Sequence, residues 1–216
     1  MPTIAIIDYG MGNLRSVAKA LERVGAAARI IAAPSELGEA EGLVLPGVGA
    51  FGQAMDRLTE AGFDDLVKGW AGEDRPFLGI CLGLQLLFAE SEEFGPMRGL
   101  DIVPGKVIRF RGPAYEQHGD QPGLKVPHIG WNSLRVVKDH PVAADVPDGA
   151  MAYFVHSYYG VPDDGGWATT LTDHGVDFAS AISRGNVFAS QFHPEKSGVV
   201  GLGMVTNFVR LVERAG

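Results

Sequence analysis

The sequence predicts an α/β fold in which a mostly parallel sheet lies between helical layers and gains antiparallel strands at one end. Three observations carry this expectation. Up to Glu90, short apolar runs alternate with segments whose apolar residues recur at helical spacing, the signature of strands joined by crossover helices. Beyond Leu100 the runs are short and joined by turns such as Pro147-Asp148-Gly149 and Arg184-Gly185-Asn186, which suits hairpins. Hydrophobic residues make up 46% and charged residues 20%, enough apolar side chain for a sizeable core.

Taken in order, Thr3–Ile7 reads as the first strand and ends in a turn rich in glycine, Asp8-Tyr9-Gly10-Met11-Gly12-Asn13. A helix over 14–24 places Leu14, Val17, Ala18 and Leu21 on one face and stops at Gly25. Strands follow at 28–31 and 42–45, the second running into Pro46-Gly47-Val48-Gly49. Helices are predicted over 53–60, 64–71 and 82–90, with a strand at 76–80 before the last. Later strands fit 102–110, 133–137, 151–156, 167–171, 178–183 and 187–192, and an amphipathic helix over 201–214 closes the chain. Segment 111–123 holds Pro113, His118, Gly119, Pro122 and Gly123 and is expected to be an exposed loop. No repeat or linker-like stretch interrupts, so residues 1–216 are expected to form a single domain.

Charge and cysteine usage exclude several function classes. The formal net charge is −8 with scattered basic residues, which argues against a sequence-independent grip on nucleic acid. Met1-Pro2-Thr3-Ile4 lacks the basic region of a signal peptide, and no apolar run approaches the roughly 20 residues of a membrane span. One cysteine permits neither an internal disulfide nor a multi-cysteine metal cluster, which fits the cytoplasm.

That cysteine, Cys81, sits in Gly79-Ile80-Cys81-Leu82-Gly83 at a predicted strand–helix junction. A lone cysteine is usually a small buried hydrophobe. The flanking glycines instead suggest a nucleophile elbow, a tight turn that pushes one side chain outward. A helix beginning at Leu82 would favour the thiolate, and the Leu82 N–H would face a tetrahedral oxyanion.

A thiol nucleophile needs a base, and the base needs an orienting group. Of the six histidines, His118, His140 and His174 lie in polar, loop-like surroundings and are expected at the surface. His128 and His156 lie in more ordered segments, as core or site-lining residues. His193 follows a strand and precedes Pro194-Glu195, so it sits where such sheets carry function and has a carboxylate two residues on. Alone it would read as a capping histidine; beside the elbow it reads as the base, with Glu195 holding it.

The Gly-x-Cys-x-Gly elbow with a distant His-Pro-Glu resembles the triad glutamine amidotransferases. The likeness extends through Ile7 to Leu14, Pro46 to Phe51, Gly79 to Phe88, Pro127 to Asn132, Phe154 to Tyr159 and Gln191 to Ser197, in the family's order. It is closest to the branch serving histidine biosynthesis. The resemblance implies a flavodoxin-like three-layer fold and glutaminase chemistry on Cys81, His193 and Glu195. It further implies oxyanion contacts from the N–H groups of Val48 and Leu82, and glutamine contacts from Gly49, Gln85, Ser157 and Tyr158. It implies that ammonia passes to a (β/α)8-barrel cyclase subunit, which makes imidazole glycerol phosphate and an aminoimidazole carboxamide ribotide. Asn13, Trp131, Tyr153 and Lys196 match the face shared with that partner in a heterodimer. Each also has a plainer reading: Asn13 as a helix cap, Trp131 as core, Lys196 as a solvated charge.

Other readings remain to be weighed. Gly10-x-Gly12 after a strand resembles a dinucleotide fingerprint, but Arg15 stands where the third glycine belongs. A cysteine peptidase on a similar fold would share the elbow without needing His-Pro-Glu, and a non-catalytic interaction protein would not need the triad. Metal is not expected, since no further histidine or cysteine lies at ligand spacing from His193 and Glu195, and no cofactor is implied.

Overall fold

The computed structural model describes residues 1–117 and 122–216. The expected exposure of His118 lies outside the described residues. Thirteen strands are assigned among them. The first four are β1 (Thr3–Ile7), β2 (Ala27–Ile31), β3 (Gly42–Gly47) and β4 (Phe77–Cys81). Next come β5 (Phe88–Ser91), β6 (Met97–Arg98), β7 (Val103–Arg109), β8 (His128–Val136), β9 (Ala150–His156) and β10 (Tyr158–Pro162). The last three are β11 (Ala168–Asp173), β12 (Asp177–Arg184) and β13 (Val187–Ser190). The helices are α1 (Leu14–Arg23), α2 (Phe51–Glu60), α3 (Phe63–Gly72), α4 (Leu82–Gln85) and α5 (Gly198–Ala215).

Nine strands form one sheet in the order β2-β1-β3-β4-β13-β12-β11-β8-β9. The first five pair in parallel and the remaining contacts are antiparallel. The parallel part has the flavodoxin-like strand order, with its switch point between β1 and β3.

Alternation along the central strands sets the two helical layers. Ala5, Ile7, Leu43 and Leu45 face a core built with Phe51, Met55, Leu58, Phe63 and Trp70 of α2 and α3. Ile4, Ile6, Val44, Leu78 and Ile80 face the other side, against Val17 and Leu21 of α1 and Met204, Phe208 and Val212 of α5. Strands buried on both faces read as continuous apolar runs, which is why β1, β3 and β4 were legible.

Three expectations need correction. The helix predicted over 82–90 ends at Gln85, because the chain turns at Leu86–Leu87 and Phe88–Ser91 becomes β5. There Leu87 O accepts from the N–H groups of Ile102 and Val103 at 2.9 Å each, a pairing distant in sequence. This strand belongs to a second sheet, β10-β7-β5-β6, which the sequence did not suggest. The strand predicted at 133–137 begins at His128 and includes Gly130 at φ +132°.

Candidate active site

β3 and β4 run side by side, with Gly47 opposite Cys81, so both strands end at the same place. Cys81 is buried and adopts φ +56°, ψ −108°. A non-glycine residue held there stores strain on the order of 1–3 kcal/mol, as a nucleophile elbow does. The flanking glycines are required by space. A Cβ on Gly83 would stand 1.9 Å from the Leu45 carbonyl oxygen, and one on Gly79 would stand 2.9 Å from Ala189 Cβ. Because α4 is a single turn, the dipole expected from a long helix is reduced to local amide groups.

His193 lies three residues past β13 and is almost fully buried, 2% exposed. Its Nδ1 meets Glu195 Oε1 at 2.8 Å, so the ring presents Nε2, which is buried without a hydrogen bond. Backbone and side-chain contacts fix this position. His193 N–H donates to Tyr153 O at 3.0 Å, and Ser197 Oγ donates to His193 O at 2.7 Å. Burial alone would lower the imidazole's affinity for a proton. The Cys81 and Glu195 side chains outweigh it and raise the pKa to about 9.

Cys81 and His193 line one cavity of about 320 Å³. Val48, Gly49, Leu82, Gln85, Ser157 and Tyr158 line it too, so every residue expected to hold an oxyanion or glutamine faces the same space. Glu195 lies behind His193. A groove of about 1590 Å³ between α2, α3 and the β12–β13 turn is larger but contains neither Cys81 nor His193.

Residues that sequence reasoning gave no role lie in the cavity or beside it. Glu93 lines it while one carboxylate oxygen accepts from Phe51 N–H at 2.7 Å. Gln191 is fully buried, and its Nε2 approaches Cys81 Sγ at 3.8 Å. Tyr9 donates its hydroxyl to Pro46 O at 3.0 Å and so fixes the end of β3 beside Val48. Burial raises the Tyr9 hydroxyl's pKa, which keeps it a donor. Gln191 and Tyr9 both lie in stretches that the family likeness covers, which was the available signal.

Of the residues expected at a shared face, Asn13 and Trp131 depart from their plainer readings and Lys196 keeps its own, as an exposed charge. Asn13 precedes α1 without a side-chain capping bond. Trp131 is 53% exposed and packs edge-on against Tyr153 at 6.1 Å, so it is not core. Lys196 is exposed, and its N–H donates to His193 O at 3.0 Å. Ile129, Met151 and Val155 are also exposed, which makes the β8–β9 end of the sheet unusually apolar for a surface, and Val199 at the start of α5 is exposed too.

Two histidines differ from expectation. His140 is buried, 8% exposed, stacked on Phe188, and its Nδ1 accepts from Val142 N–H. His174 is half-buried and stacks on His128 at 4.1 Å. Polar neighbours in sequence concealed both ring contacts. Among the described residues, no group of three or more His, Cys, Asp or Glu could hold a metal ion. No helix among the described residues is long and apolar enough to cross a membrane.

Comparison with known proteins agrees with this geometry. Residues 5–211 match the family Glutamine amidotransferase class-I. "Imidazole glycerol phosphate synthase subunit HisH" of Syntrophotalea carbinolica is 53% identical over 205 residues, 95% of this chain and 98% of that protein. The subunit of the same name from Geobacter metallireducens is 50% identical over 208 residues, 96% and 98% of the two chains. A solved glutamine amidotransferase from Thermotoga maritima shares the fold with a TM-score of 0.66 at 17% identity, covering 98% of each chain. The chain belongs to the class-I glutamine amidotransferase family, in the branch of the imidazole glycerol phosphate synthase HisH subunits.

Proposed function

We propose that this chain, as a single glutaminase domain over residues 1–216, hydrolyses L-glutamine and delivers the ammonia to a cyclase subunit. The observation that carries the reading is the strained Cys81 sharing a cavity with His193, whose far nitrogen is held by Glu195.

Cys81 gives its thiol proton to His193 Nε2, Sγ attacks the side-chain amide carbon, a C–S bond forms, and the carbonyl oxygen takes the negative charge. The N–H groups of Leu82 and Val48 receive that charge. His193 gives its Nε2 proton to the amide nitrogen, the C–N bond breaks, and ammonia leaves. Water then loses a proton to His193 and attacks the thioester. The C–S bond breaks, glutamate departs and the thiol is restored. Glu195 keeps His193 in the tautomer that presents Nε2. Gly49, Gln85, Ser157 and Tyr158 hold the glutamine, and Glu93 supplies a carboxylate suited to its ammonium group.

The partner is a (β/α)8-barrel cyclase subunit that makes imidazole glycerol phosphate and an aminoimidazole carboxamide ribotide for histidine biosynthesis in the cytoplasm. The names of the relatives support a subunit role, and the apolar β8–β9 surface supports a heterodimer. Asn13, Trp131, Tyr153 and Lys196 form its contact face. Lys196 and Tyr153 both bond the His193 backbone, so docking there reaches the base directly.

The test is glutamate release from glutamine by the purified chain, alone and with the cyclase and its phosphoribosyl ligand. Ligand-dependent stimulation that disappears in Cys81→Ala is expected. Full activity without the partner would remove the coupling, and no glutamate under any condition would remove the glutaminase.

A further inference from the structure

Two buried histidines outside the Cys–His–Glu set form a hydrogen-bond chain whose direction is fully determined. His156 Nδ1 lies 2.8 Å from Tyr158 O. A carbonyl only accepts, so Nδ1 carries the proton and Nε2 of neutral His156 must accept. His128 Nδ1, 3.2 Å from that Nε2, is therefore the donor, and His128 Nε2 is an acceptor. Asn132 Nδ2 stands 3.2 Å from it and donates. Asn132 is itself oriented, since Nδ2 also donates to Asp173 O and Oδ1 accepts from Ser133 N–H, both at 2.8 Å.

At its other end the chain meets the cavity. Tyr158 O also accepts from Gln85 Nε2 at 2.9 Å, and the same amide nitrogen donates to Gln191 Oε1 at 3.0 Å. The Tyr158 carbonyl is thus pinned from two sides, by His156 and by Gln85. Protonating His156 at Nε2 would set two N–H donors against each other between the rings, and protonating His128 at Nε2 would do the same against Asn132 Nδ2. Both rings are suited to stay neutral: burial lowers His128 to about 4 and His156 to about 3.

We propose that His128 and His156 are positioning residues that lock the Ser157–Tyr158 wall of the glutamine cavity through this one-way chain from Asn132. The proposal rests on the glutaminase reading above. It predicts a binding defect, because the wall meets substrate and transition state alike. His156→Leu raises KM for glutamine about 10-fold or more while kcat changes less than about twofold. His156→Asn, which keeps an N–H donor where Nδ1 stood, recovers most of the loss. His128→Phe keeps the ring packing, removes the bond to His156 and gives a smaller rise in KM.

The experiment measures both constants for the three variants in the complex with the cyclase. Nitrogen-15 NMR of the histidines in the wild-type chain is recorded alongside. The expected spectrum shows both rings as neutral Nδ1–H tautomers. A fall in kcat at unchanged KM, or no recovery in His156→Asn, would overturn the positioning role. Nε2–H tautomers would overturn the chain itself. If wild type released no glutamate, the glutaminase reading and the positioning role would fall together, and the tautomers would still decide whether the chain exists.

Discussion

The adjoining ends of β3 and β4, and the segments that follow β13 and the antiparallel extension, hold their cavity-lining residues by different means. β3 and β4 deliver Val48 and Cys81 mainly through backbone geometry and close packing: a positive φ at Cys81 and glycines packed to contact, with one side-chain bond from the Tyr9 hydroxyl to Pro46 O. The end of β13 delivers His193, and the β9–β10 junction delivers Ser157 and Tyr158, through hydrogen bonds to side chains and carbonyls, among them Glu195, Ser197 and Tyr153. Cys81, the proposed nucleophile, is thus held largely by sterics, which tolerate few substitutions. His193, Ser157 and Tyr158 are held by polar contacts, which respond to protonation and, on the function proposed above, to a partner docked beside them.

Substitutions can break that contrast at either side. Cys81→Ala is expected to lower glutamate release by at least about 10⁴-fold without unfolding the chain, as steady-state rates and a melting curve would show. Glu195→Gln should cost about 10²–10⁴-fold in kcat, since the ring loses its orienting carboxylate. The His193 pKa should also fall from about 9, visible in an NMR titration. The sign follows from linkage. A pKa raised above the ordinary 6.5 gives stability that is full below about 6.5 and lost as pH rises through about 9.

Smaller effects sharpen the comparison. Trp131→Ala should weaken cyclase binding by about 2 kcal/mol, measured by calorimetry, with glutaminase activity of the free chain unchanged. Cys81→Gly should be more stable than Cys81→Ala by about 1 kcal/mol in a urea titration, because glycine relieves the strain at φ +56° that alanine keeps. The smallest effect is acid sensitivity of the extension. His128 and His156 are lowered to about 4 and about 3, so the unfolded chain binds protons first. Their contribution is full above about 6.5 and declines as pH falls towards 4, and His128→Phe should flatten the melting temperature over that range.

What the sequence made legible follows the same division. The apolar runs of β1, β3 and β4 and the periodic faces of α1 to α3 are local signals, and each element lies within a few residues of its expected bounds. Gly79-x-Cys81-x-Gly83 is likewise local, so the elbow was readable as a motif. β5 was not, because Phe88–Ser91 is apolar enough for a helix and becomes a strand only through β7, far along the chain. β10 was hidden by Gly160 and Pro162, residues that usually mark turns. The burial of His140 and the His128–His156 pair depend on rings brought together across strands, which no spacing rule encodes.

The central claim is that Cys81 attacks a glutamine side chain. An electrophilic glutamine analogue, incubated with the chain in complex with its cyclase and read by peptide mass spectrometry, tests it most directly. The account predicts a single adduct on Cys81 whose formation is slowed by added glutamine and by His193→Ala. No adduct at Cys81, or labelling that glutamine does not slow, would contradict it.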